Sequence, residues 1–111
     1  MTILYVISIK DVISPSLVSS NKALDFFENH LSNIVVDNVV VDFSGVKSIS
    51  RSFAYQYLTC KYQYKRKKLR EINVPSSINS ILKLELQAME LSNQETINNK
   101  KERPKEQLAY L

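Results

Sequence analysis

The chain has 111 residues, enough for one domain with a real core but not for two. A hydrophobic share of 44% and a charged share of 23% match ordinary globular chains and exclude a disordered or fibrous one. The net charge of +4 does not describe a uniformly basic surface, because six of the fifteen Lys and Arg residues fall between positions 61 and 70.

The opening stretch, "MTILYVISIKD", has neither a basic leader nor a small-residue cleavage site, and no apolar run reaches the roughly 20 residues of a membrane span. Cys60 is the lone cysteine and has no internal disulfide partner. The expected compartment is the cytoplasm, with no membrane contact.

β-branched and aromatic residues in "TILYVISI" (2–9) predict a first strand. Pro15 and its serines break any regular pattern in "KDVISPSLVSS". Ser19, Ser20 or Asn21 then caps a helix whose apolar positions are Ala23, Leu24, Phe26, Phe27 and Leu31. "NVVVDF" (38–43) is a continuous apolar run of the kind found in a central, covered strand, and Ser44-Gly45 ends it. "SRSFAYQYLTCKYQYKRKK" predicts a second helix with Phe53, Ala54, Tyr57, Leu58 and Lys61 inward, and its basic end suits the negative pole of the helix dipole. "LREINV" (69–74) reads as a third core strand. Pro75 or the serines after it start a helix with the stripe Ile78, Ile81, Leu82, Leu84 or Glu85, and Met89. The expected domain is therefore 1–91. It is followed by a polar, flexible tail, 92–111, that ends in an apolar "LAYL". Strands alternating with helices predict an α/β sandwich, with a mixed sheet of about four strands packed against helices.

"VVVDFSGVKSISRSFAYQYL" followed by "REINVPSSINSIL" resembles the core of the STAS-like domain family, relatives of bacterial anti-sigma-factor antagonists. The shared features are a valine-rich strand ending in Asp-Phe, a Gly-Val turn, an Ile-Ser-x-Ser-Phe entry into a helix, and an Asn after the next strand. The likeness spans about residues 38 to 90. It implies a STAS-like sandwich that binds protein partners, either a histidine-kinase-like ATPase or an anti-sigma-type protein, and needs no cofactor. Antagonists carry Asp-Ser-Ser-Gly at this turn, and a partner kinase phosphorylates the second serine. Laid over the motif, Ser50 takes the Asp position, Arg51 the first Ser, Ser52 the phosphorylated Ser and Phe53 the Gly, so three of the four positions depart from it. Ser52, with Ser50 beside it, is the phosphorylation candidate that the resemblance implies. Ser44, Gly45, Lys47, Ser48, Arg51 and Tyr55 are the expected docking residues.

Independently of any family, a serine just inside a helix start lies near unpaired N–H groups that attract phosphate, while a plain N-cap role accounts equally well for Ser50. Gly45 is expected to serve a positive φ, and Asp42 to brace a turn. The alternative function is nucleic-acid binding through a Lys/Arg-Tyr helix over 61–70, where Lys61, Lys65, Arg66, Lys67, Lys68 and Arg70 interleave with tyrosines. A further alternative has "LAYL" binding a partner or a second copy, and a homodimer is among the expected assemblies. One histidine, His30, one glycine and one cysteine leave little material for a metal centre, a triad or a phosphate-cradling loop, so no enzyme activity is expected.

Overall fold

The computed structural model describes residues 3–64 and 68–101. The chain runs through β1 (Leu4–Ser8), α1 (Ile9–Val12), β2 (Ser16–Leu17), α2 (Ser20–Asp25), β3 (Asn38–Asp42), β4 (Ser48–Ile49), α3 (Arg51–Gln63), β5 (Lys68–Ile72) and α4 (Ser76–Lys101). The result is an α/β domain, and no helix among the described residues is long and apolar enough to cross a membrane.

β3 takes the centre of a three-stranded sheet ordered β1-β3-β5, which explains its unbroken valines: Val39, Val40 and Val41 are all buried. Both pairings are parallel. Val6, Val40 and Arg70 lie in one cross-strand row, and Ile7, Val41 and Glu71 in the next. The expected mixed sheet of about four strands is thus corrected to an all-parallel sheet of three, with β2 and β4 forming a separate two-stranded parallel pair. The reason is topological. Helical segments separate β1 from β3 and β3 from β5, and such crossovers return the chain in the same direction. β2 and β4, two residues each, are too short to leave a periodic signal.

One face of the sheet supplies Ile7, Val39 and Val41 to a core completed by Phe26, Phe27, Phe43, Phe53, Tyr57 and Ile78. Val40 lies outside that core and faces the opposite side. After α2 the chain widens into a π turn over Phe26–His30 and then tightens into a 3₁₀ turn over Leu31–Asn33. That path buries the adjacent Phe26 and Phe27 together with Leu31, while Leu24 is left partly exposed. Ser19 occupies the N-cap position of α2.

α3 stops at Gln63, short of the predicted 68, because Lys68 to Ile72 are drawn into the ladder of β3. The first strand is likewise shorter than predicted, since Ile9 already begins α1 under a Ser8 cap. α4 continues past residue 91, where the sequence predicts the domain to end, as far as Lys101. The "LAYL" segment and Lys65, Arg66 and Lys67 lie outside the described residues.

Candidate functional site

Seven candidate residues, Ser44, Gly45, Lys47, Ser48, Arg51, Ser52 and Tyr55, are exposed. Phe43, Val46, Ile49 and Phe53, every third or fourth residue of the same stretch, are buried and anchor the segment while these seven face outward. The segment lies beyond the carboxyl end of β3, the end at which open parallel sheets place their crevices.

The turn after β3 closes with the Val46 N–H donating to the Phe43 carbonyl at 3.1 Å. Gly45 sits at its third position with φ +80, and Ser44 has negative φ, which together define a type II turn. A Cβ at Gly45 would also come 2.8 Å from Cδ of Lys10, a contact that the flexible lysine can relieve. Gly45→Ala is therefore expected to cost about 1–2 kcal/mol, chiefly from the backbone, measurable by urea denaturation.

Asp42 braces this turn through a single carboxylate oxygen. The Ser44 hydroxyl and N–H both donate to it, at 2.7 and 2.9 Å, and Nδ2 of Asn73 donates at 3.1 Å. These bonds, that of the Ser44 hydroxyl foremost, hold the Asp42 carboxyl below the usual carboxylate range, with a smaller contribution from Lys10. Asn73 itself adopts φ 55, a left-handed conformation that Asn tolerates better than other side chains. The ends of β3 and β5 are thus tied by polar side chains, and Asp42 acts as a brace.

From the turn, the Lys47 N–H donates to the Pro15 carbonyl at 2.8 Å, and β4 pairs with β2. The clip delivers Ser50 to the start of α3, where its Oγ accepts from the Phe53 N–H at 3.0 Å and donates to the Val18 carbonyl at 2.7 Å. Ser50 is the N-cap. Ser52 Oγ lies 3.2 Å from Ser50 Oγ and 3.4 Å from the Val18 carbonyl, with its side chain at the surface. Ser52 also lines an open cleft of about 480 Å³ with Ser20, Arg51, Tyr55, Gln56 and Glu85. Across that cleft Nε of Arg51 donates to Oε1 of Glu85 at 3.2 Å.

The described residues of the basic run, Lys61, Lys68 and Arg70, are divided between two elements. Lys61, half-buried on α3, donates to Oε1 of Glu71 at 2.9 Å. Lys68 and Arg70 are exposed on β5, so the predicted helix over 61–70 is corrected to a helix end followed by a strand. Its tyrosines are divided as well. Tyr55 and Tyr62 are exposed, Tyr57 is buried, and the Tyr64 hydroxyl donates to the Leu31 carbonyl at 2.8 Å. His30 stands 3.8 Å from Asp25 at the end of its helical segment, and Cys60 is buried.

The sequence reading missed Glu71 and Glu85 as structural charges. The one available signal was Glu85 at an apolar stripe position between Leu82 and Met89. Comparisons with protein-family models, curated proteins and solved structures give no match to this chain.

Proposed function

We propose that this protein is a small cytoplasmic interaction module of the STAS-like type, acting by docking and not by catalysis. Its docking surface is the segment from Ser44 to Tyr55. The resemblance implies a histidine-kinase-like ATPase or an anti-sigma-type protein as partner, with Ser52 as the point of regulation. The observation that carries this reading is Ser52 itself: an exposed hydroxyl in the first turn of a thirteen-residue helix, at the lip of an open cleft and next to an arginine. A phosphate at that position meets free N–H groups and the positive helix pole, and it changes the charge of the surface that a partner must cover. Against the nucleic-acid alternative stands the division of the basic run between α3 and β5.

The test is peptide mapping of the chain purified from its own host, with identification of the co-purifying protein. The expected result is phosphate on Ser52 and an ATPase-fold protein on the unmodified form. Ser52→Asp should weaken that complex at least about tenfold, the effect of roughly 1.4 kcal/mol lost at a charged contact. Recovery of nucleic acid alone, or a complex indifferent to both Ser52→Asp and Tyr55→Ala, would overturn the reading.

A further inference from the structure

The two edges of the three-stranded sheet are built differently. β5 presents the exposed Lys68 and Arg70, charges with which an edge strand discourages further pairing. The other edge, β1, carries no charge between Ile3 and Ser8. There Ile3, Leu4, Tyr5 and Val6 are 61, 50, 45 and 57% exposed, four consecutive large apolar residues open on both faces of the strand. Its one ladder partner is β3, and among the described residues no backbone hydrogen bond reaches its outer edge. Beside it, on the core-facing side, Tyr5, Ile7, Val12, His30 and Val35 line an uncovered cleft of about 470 Å³.

We propose that β1 is a dimerisation edge. Two copies of this chain pair their β1 strands antiparallel about a twofold axis and join two three-stranded sheets into one of six. The occupant follows from the chemistry of the edge. A strand added here must be apolar on both faces, to cover Leu4 and Val6 on one side and the cleft beside Tyr5 on the other. A strand from an ordinary half-solvated sheet has one polar face and would leave one of these uncovered. β1 itself meets the requirement, with Ile3 and Tyr5 on one face and Leu4 and Val6 on the other. Twofold pairing brings the residues nearest the axis against their own copies, so a charge there would meet its like, and this strand has none. The surface is distinct from the Ser44–Tyr55 segment, so dimerisation and partner docking are independent claims.

The test is sedimentation velocity on the full chain across a concentration series, for the wild type, Val6→Lys and Ile72→Lys. Val6 is more than half exposed, so lysine leaves the monomer folded, which circular dichroism checks. Ile72→Lys places the same charge on the same sheet face at the opposite edge. The expected results are a wild-type dimer in the micromolar range, as befits a small interface, dimerisation at least roughly tenfold weaker in Val6→Lys, and no change in Ile72→Lys. Hydrogen exchange of the β1 amides should slow as wild-type concentration rises. A wild type that stays monomeric at the highest soluble concentration overturns the proposal. So do equal losses in the two variants, which would mean face-to-face packing instead of edge pairing, and so does a dimer that leaves the β1 amides unprotected.

Discussion

Tyr57→Ala is expected to lower the unfolding free energy by about 3–5 kcal/mol, a large part of the roughly 5–15 kcal/mol that holds a domain folded. Tyr57 is wholly buried where α3 meets the sheet. Its ring is 5.4 Å from Phe27 and 5.9 Å from Phe43, both edge-on, and 6.4 Å from Phe53 in a stacked arrangement. No neighbour can fill that volume without leaving its own place. The hydroxyl donates to Oε2 of Glu71 at 2.7 Å, and Lys61 neutralises the other carboxylate oxygen. Tyr57→Phe keeps the packing and removes one bond to a charged acceptor, for about 1–2 kcal/mol.

The same phenol gives the protein an alkaline limb. Burial first, then the charge and hydrogen bond of Glu71, push its pKa well above 10 in the folded state. In the unfolded chain the proton leaves near pH 10, while the folded chain keeps it. The contribution is therefore fully present below pH 10 and is lost as pH rises beyond it, at up to about 1.4 kcal/mol per pH unit. Urea denaturation between pH 9 and 11 should show the wild type falling more steeply than Tyr57→Phe. Parallel curves for the two proteins would remove Tyr57 as the cause.

Arg51→Ala should have the next largest effect. The Glu85 side chain is 11% exposed, and its recorded partner is Arg51, itself 79% exposed. Removing the guanidinium leaves a nearly buried carboxylate without its ion partner. Breaking a fully buried pair costs about 3–5 kcal/mol, and water shares the solvation of this one, so about 1–3 kcal/mol is expected. Glu85→Leu removes the charge instead and extends the apolar stripe between Leu82 and Met89. It should stay within about 1 kcal/mol of the wild type, and it should rescue Arg51→Ala when the two are combined. Denaturation of the two single variants and the double variant measures the coupling; additive losses would mean that Arg51 does not stabilise α4 through Glu85. The double variant also lets the role of Arg51 in docking be measured without the stability loss.

The residues at the candidate site were legible because their signals are local. Ser50 reads as a cap from the residues beside it, and its Oγ does accept the Phe53 N–H. The lone glycine at a strand end reads as a positive-φ turn, and Gly45 has φ +80. Three consecutive valines read as a covered strand, and β3 is central. The charges that secure the domain were not legible. Glu71 sits beside Arg70 in a strand that mixes charged and apolar residues, and only the approach of Tyr57 and Lys61 from α3 makes it a part-buried acceptor.

Local signals fix the alternation of strands and helices, the capped entry to α3 and the turn at Gly45, because each rests on propensity or periodicity within a few residues. Tertiary structure alone decided that all three sheet strands run parallel, that the two-residue segments β2 and β4 find each other, and that α3 ends at Gln63 so that Lys68 to Ile72 can pair with β3. These are contacts between residues far apart in the chain. Their hydrogen bonds and shared burial outweigh the local preference of a basic, tyrosine-rich segment to remain helical.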